Sequence, residues 1–347
     1  MKAKRTSSAP NLPNSSAFLK ENKAPSPIAQ DSPENQNSTE QPNQKMPIDY
    51  SFDYDGENFT MQLNGEDLIG CQWLPPSRNP KFMIIFFHGL GAFLSINRPY
   101  FPTILANDGA IFGTDHFGHG RSPGERGCAT DDDLFNELRL LIKRAKNVFP
   151  NIPLFLYGHS LGGLSVLSFI CSHPEESEPL DGVIIEAPWL HETDATEKSL
   201  AAWLVGKIGK YIFKTFPIDA SGGWDITIYP QKFIDNMNKS NLGHDYVTPL
   251  LYASAVCMRK AVLYNYTNWP RRLPLLFMQG GKDSSVGVNS NLKWAEKMRD
   301  LYPDKVKLVY HKNAQHAMLR GVESDIIFRE IIDFITSNLS VITLKSE

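Results

Sequence analysis

Leu154-Phe155-Leu156-Tyr157-Gly158-His159-Ser160-Leu161-Gly162-Gly163 joins a short apolar run to a G-x-S-x-G pattern. With ordinary Gly and Ser usage, chance produces such a pattern about 0.1 times in a chain this long. Its setting says more than its rarity. The run before it reads as a buried strand and Leu164 to Cys171 after it as a helix. Strand, tight turn and helix around G-x-S-x-G make a nucleophile elbow. Such a turn has no room for a Cβ at Gly158 or Gly162. Ser160 is therefore the candidate nucleophile, and the backbone N–H of Leu161 a candidate oxyanion donor.

Outward from the elbow, short apolar runs recur at Phe82–Phe87, Ala110–Thr114, Val183–Glu186, Leu275–Gln279 and Val306–Tyr310. They are continuous rather than alternating, which suits strands covered on both faces. Residues 57–63 and 67–74 read as a first hairpin turning at Asn64 and Gly65. Between the runs lie amphipathic helices over Asp131–Val148 and Ile326–Leu339, the first opening on three aspartates. The pattern predicts a mostly parallel central sheet with helices on both faces. Residues 47–187 and 271–347 are expected to form the two parts of this α/β core. Residues 188–270 break the rhythm and are expected to form an inserted helical cap.

A serine hydroxyl needs a base, and in this kind of sheet the order is Ser, acid, His. Asp283 follows the Leu275–Gln279 run and His316 follows Val306–Tyr310, so both belong on loops beside the elbow. His316 would take the Ser160 proton and Asp283 would hold the imidazole tautomer. His311 competes as base but stands at the strand end, and Asp304 competes as acid but precedes a strand. The loop His88-Gly89-Leu90-Gly91 follows Phe82–Phe87 and offers the Leu90 N–H as second oxyanion donor.

The cap is apolar and aromatic, with Trp189, Leu190, Trp203, Leu204, Phe213, Phe216 and Trp224. Trp189, Trp203 and Leu204 are candidate contacts for a greasy substrate, with plain core packing as the alternative. Thr196–Lys214 spaces Leu200, Trp203, Leu204, Ile208, Tyr211 and Ile212 helically among lysines. It is either a packed cap helix or a basic face for peripheral contact with a membrane.

The remaining composition narrows the function classes. Of 347 residues, 35 are basic and 38 acidic, and no apolar run reaches bilayer length, so neither nucleic acid nor a membrane span is indicated. Residues 1–46 are rich in Ser, Thr, Asn, Gln and Pro and read as a disordered cytosolic tail. Its Lys2, Lys4 and Arg5 are not followed by the apolar region of a signal peptide. Arg5-Thr6-Ser7-Ser8-Ala9-Pro10 is similar to the phosphoserine pattern read by 14-3-3 adaptors, which makes Ser8 a candidate regulatory phosphosite and the adaptor a candidate partner. Cys71, Cys128, Cys171 and Cys257 lie far apart without a C-x-x-C pair, suiting free thiols in a reducing, cytoplasmic setting.

Together, His88-Gly89-Leu90-Gly91, Asp115-His116-Phe117-Gly118-His119-Gly120-Arg121-Ser122, Gly158-His159-Ser160-Leu161-Gly162-Gly163, Asp283 and His316 resemble the monoglyceride lipase and lysophospholipase branch of the α/β-hydrolases. The resemblance covers about residues 55–340. It implies the α/β-hydrolase fold, a Ser160–Asp283–His316 triad, Leu90 and Leu161 as oxyanion donors, and a lipid ester substrate held under the cap. It implies no metal and no cofactor, since nucleophile, base and donors are all protein groups. The D-x-x-G-H-G-x-S element would be support beneath the site. One departure stands out. Glycerol-hydrolysing members continue H-G-x-G with Glu-His, where this chain has Ala92-Phe93. That leaves lysophospholipids or simpler esters open beside monoacylglycerol, with Arg98 as a candidate substitute polar contact. Two other readings stay open. A proline-type aminopeptidase would need an acidic amine pocket from Glu186, Glu192 and Asp194. A non-catalytic binder would keep the pocket without turnover.

Overall fold

The computed structural model describes residues 52–191, 209–219, 231–321 and 323–346. The tail with Ser8, and Glu192, Asp194, Trp203 and Leu204, lie outside these residues. Ile218–Asp219 pairs with Tyr246–Val247 in a separate two-stranded ribbon. The strands of the main sheet are β1 (Glu57–Leu63), β2 (Glu66–Trp73), β3 (Phe82–Phe87), β4 (Gly109–Thr114), β5 (Leu154–His159), β6 (Gly182–Glu186), β7 (Leu275–Gly280) and β8 (Val306–His311). They form one sheet in the order β1-β2-β4-β3-β5-β6-β7-β8. From β4 to β8 every neighbour is parallel, while the β1–β2 hairpin adds an antiparallel edge on β4. The expected hairpin turn is present, with Asn64 and Gly65 both at positive φ, the conformation that matches strand twist in a two-residue turn.

The helices are α1 (Phe101–Ala106), α2 (Asp131–Val148), α3 (Leu161–Ser172), α4 (Gln231–Ser240), α5 (Pro249–Asn265), α6 (Val288–Leu301) and α7 (Ser324–Ser346). The bounds of α2 follow from its cap. Thr130 Oγ1 accepts from Asp133 N at 3.2 Å and the Asp133 carboxylate accepts from Thr130 N at 2.9 Å, a reciprocal box that satisfies two orphan donors. Its buried stripe Leu134, Leu138, Leu141, Ile142 and Ala145 faces the sheet.

β3 and β4 are buried at every position, and two apolar layers cover the sheet. One includes α2, α3, α5 and α6, through residues such as Leu138, Leu167, Met258 and Met298. The other includes α1 and α7, through Phe101, Ile104, Ile327, Ile331 and Phe334. α5 lies inside the segment expected to cap the sheet. Its Leu251, Ala255, Met258 and Val262 are fully buried and join the first layer, so that part of the insertion is built into the core. The described part of the expected Thr196–Lys214 helix is only a single turn at Lys210–Ile212. Among the described residues no helix is long and apolar enough to cross a membrane.

Candidate active site

β5 delivers Ser160 to the C-terminal edge of the sheet, and α3 begins at the next residue. Ser160 sits at φ 54°, ψ −115°, a conformation that costs a non-glycine residue on the order of 1–3 kcal/mol. The surroundings enforce it. A Cβ at Gly158 would stand 2.7 Å from Gly162 O, and one at Gly162 would stand 2.1 Å from Phe87 O. The Ser160 N–H donates to Glu186 O at 3.1 Å, and Ser160 O accepts from Leu164 N and Trp189 N, both at 3.0 Å. The elbow is thus tied to its own helix and to the chain leaving β6.

The loop after β3 closes as a turn, with Ala92 N donating to Gly89 O at 3.2 Å. Leu90 is an inner residue of that turn, so its N–H takes no part in the closing bond. A Cβ at Gly89 would come within 3.1 Å of Ser160 Cβ, which places this loop against the nucleophile. Leu161 is the first residue of α3, where N–H groups have no partner within the helix.

Asp283 and His316 meet as expected, with Nδ1 and Oδ2 2.8 Å apart. Burial alone would raise the Asp283 pKa, but the facing His316 and the N–H groups of Ser285 and Val286 outweigh it and hold the carboxyl below its usual range. Burial opposes charge on His316 too, yet Asp283 outweighs it and lifts the imidazole above its ordinary value, with Glu186 adding to the lift. The hydrogen bonds of the described residues do not include one from Ser160 Oγ to His316; such links commonly tighten only when substrate arrives.

His311 faces Glu323 at 3.5 Å and not Asp283, and Asp304 is exposed ahead of β8. Arg98 is gripped by both carboxylate oxygens of Asp55, its Nε at 2.7 Å from Oδ1. Trp189 is buried, its ring beside Tyr252 and under the Arg259 guanidinium in the first core layer. Glu186 does not open on a cap entrance. It is 3% exposed, and its carboxylate accepts from the Tyr157 hydroxyl and from Leu319 N. Glu186 therefore cannot contribute to the acidic amine pocket that an aminopeptidase would need.

Asp115 is fully buried beneath the site. It accepts from Tyr54 Oη at 2.6 Å, Leu94 N at 2.8 Å and Arg121 N at 2.8 Å. Gly120, at φ 50°, leaves the room: a Cβ there would be 2.3 Å from Asp115 Cγ. Behind the 88–91 loop the His88 ring stacks on His116 at 3.6 Å, and His116 pairs through Nδ1 with the buried Glu137 at 2.7 Å. His116 Nε2 also meets His88 O at 2.9 Å, and His119 lies 4.9 Å from His244.

Residues that sequence reasoning missed complete the frame. Gln279 Nε2 donates to Asp283 Oδ2 at 3.1 Å, and Asn291 Nδ2 donates to Gln279 Oε1 at 3.0 Å. A glutamine inside the apolar β7 run was the available signal, since a buried amide must find partners.

The family described as "Serine aminopeptidase, S33" matches residues 78–323, more than half of the chain. The chain belongs to this family. Monoglyceride lipase of Rattus norvegicus is 32% identical over 140 residues, which is 39% of this chain and 45% of that protein. The match thus spans about half the length of that relative. Monoacylglycerol lipase of Mycolicibacterium smegmatis is 21% identical over 283 residues, covering 80% of this chain and 95% of that one. Among solved structures, a soluble variant of monoglyceride lipase from Saccharomyces cerevisiae, in complex with a substrate analogue, superposes with a TM-score of 0.68 at 18% identity, covering 84% of this chain and 99% of that one. That likeness, with the sheet order above, establishes the α/β-hydrolase fold.

Proposed function

We propose that this chain is a serine hydrolase that cleaves carboxylic esters of lipids, monoacylglycerol or lysophospholipid, through an acyl-enzyme on Ser160. The observation that carries the reading is the closed Asp283–His316 pair, 2.8 Å, on loops beside the strained elbow. Ser160 Oγ attacks the ester carbonyl while His316 takes its proton, and Asp283 stabilises the imidazolium. The N–H groups of Leu90 and Leu161 hold the oxyanion. His316 then protonates the departing alcohol. Water, deprotonated by His316, releases the fatty acid and restores Ser160.

The monoglyceride and monoacylglycerol lipases among its relatives favour a lipid ester. Ala92-Phe93 in place of Glu-His keeps lysophospholipid beside monoacylglycerol as substrate. Exposed Tyr211, Ile212, Phe213 and Phe216 beside Lys210 and Lys214 support peripheral contact with a lipid surface. The family's description keeps an amide substrate as second reading, although Glu186 is unavailable to bind an amine. Release of fatty acid from a monoacylglycerol, a lysophosphatidylcholine and a short-chain ester tests the proposal, with an aminoacyl anilide alongside. One lipid should be turned over, and Ser160→Ala should lose several orders of magnitude. Turnover of the anilide alone would replace the ester reading. Equal rates in both proteins would remove Ser160 from the mechanism.

A further inference from the structure

Glu186 is a buried carboxylate that the triad does not use. It is the last residue of β6, paired with His159 on β5 and Met278 on β7. A carboxylate at a strand end usually reaches into water. Here Ala187 takes φ 43° and its N–H donates to Met278 O at 2.9 Å, which turns the chain back towards the elbow. The Glu186 side chain stays beneath the edge. Oε2 accepts from Tyr157, whose ring is itself fixed by stacking on Phe86 at 4.3 Å, and Oε1 accepts from Leu319 N at 3.2 Å. Both oxygens act as acceptors, which is what the ionised form can satisfy.

Leu319 lies three residues after His316, in the 3-10 turn Met318–Arg320. The same short segment is gripped a second time. His159, two residues beyond Tyr157 on β5 and on the same face, has Nε2 3.2 Å from His316 O, with the two rings 4.8 Å apart. The loop that carries the base is therefore held to the central strands at two points, and one of them is a carboxylate.

We propose that Glu186 is a positioning residue for His316: it anchors the 316–320 turn through Leu319 N and sets a second negative charge behind the imidazolium formed when Ser160 is deprotonated. This rests on the serine-hydrolase reading above. The groups facing Glu186 are Tyr157 on β5, and His316 and Arg320 on the turn; Tyr100 stands beyond Tyr157. Arg320 is engaged with Asn97 Oδ1 at 3.1 Å, and its charge opposes that of an imidazolium at His316. Burial pushes the Glu186 carboxyl up, with the Tyr157 and Leu319 bonds working against it.

The test is steady-state kinetics of the full chain on a 4-nitrophenyl ester and a monoacylglycerol, across pH. Glu186→Gln is nearly isosteric and removes the charge. Its kcat should fall about 10- to 100-fold with KM within about twofold, as expected when a base is displaced. The acid limb of kcat/KM should also move down by about half a pH unit, because removing a nearby negative charge makes the imidazolium easier to deprotonate. Wild-type kcat, or a lowered kcat with an unmoved acid limb, overturns the proposal. Tyr157→Phe guards against a misfolded Glu186→Gln. It keeps the charge but removes one of the carboxylate's two donors, so kcat should fall about threefold to tenfold; wild-type kcat there is equally decisive against. Ser160→Ala is run in parallel. If it is inactive while Glu186→Gln behaves as wild type, only this inference fails. If it is active, the serine-hydrolase reading itself fails.

Discussion

Histidines gather at two places near the elbow, His316 beside His159 and the His88 group behind the 88–91 loop, and their surroundings are opposite in kind. His316 faces a carboxylate whose other bonds keep it ionised, so it is poised to hold a proton above the usual imidazole range. The group behind the 88–91 loop is packed among itself. Burial drives His88 and His119 well below the ordinary value, with neighbouring histidines pushing further down, and burial brings His244 to about 4. On the proposed mechanism, one residue type thus does chemistry on one flank and shapes a loop on the other. The difference lies in what each ring faces: a carboxylate lifts the imidazolium, while desolvation and like neighbours suppress it.

The largest contrast should appear when each flank loses one member. His316→Ala is expected to lower kcat by about 10⁴-fold or more while the melting temperature stays close to wild type, read by scanning calorimetry beside the ester assay. Glu137→Ala removes the hydrogen-bond partner of buried His116 and Thr114 and should do the reverse, costing about 1–3 kcal/mol of stability, measured by urea unfolding. If His316→Ala unfolds the protein, or Glu137→Ala leaves its stability intact, the division of labour is wrong.

Acidification should separate the flanks without mutation. The base works only when neutral, so kcat/KM should fall as pH drops through the raised His316 value, above the ordinary imidazole range. Stability follows the other flank. A histidine whose folded pKa is depressed is neutral in the fold while the unfolded chain binds protons, so stability is complete above about pH 6.5 and declines as pH falls from there. His244 alone should account for about 2–3 kcal/mol of loss by pH 4. Activity should therefore be lost reversibly at a higher pH than the fold, as tested by rates and chemical unfolding on one buffer series. Coincident limbs would mean that the loss of activity is unfolding.

The smallest effect sharpens the assignment of that second limb. His244 N donates to Gly91 O at 3.0 Å, a backbone bond that joins the cap segment to the 88–91 loop. His244→Gln keeps that bond and removes a titrating ring. Stability at pH 7.5 should change by no more than about 1 kcal/mol, and its decline towards pH 4 should be shallower. An unchanged slope would assign the acid limb to other residues.

The contrast also marks what the sequence made legible. The elbow and the positions of Asp283 and His316 could be read because strand, turn and spacing are local patterns, and each candidate residue follows its own apolar run. α2 was found to the residue, since Thr130 and Asp133 cap it and its stripe is regular. Other features depended on distant partners. Glu186 looked like a mouth residue because nothing local reveals that Ala187 turns back and that Tyr157 and Leu319 wait beneath. Arg98 looked available because Asp55 lies 43 positions away in sequence. α5 read as insertion because its burial on α3 is invisible to periodicity when apolar residues lie on several sides.

The order of the three proposed triad residues along the sheet bears on synthesis. Ser160 follows β5 in the middle of the sheet, whereas Asp283 and His316 follow β7 and β8, the last two strands in the chain and the far edge of the sheet. On the proposed mechanism, a nascent chain therefore exposes its nucleophile long before its base exists, and the elbow stays inert until the final strands dock. An affinity label that reacts only with an activated serine would consequently tag finished molecules and ignore unfinished ones. The same label becomes a clock for the closing step of folding.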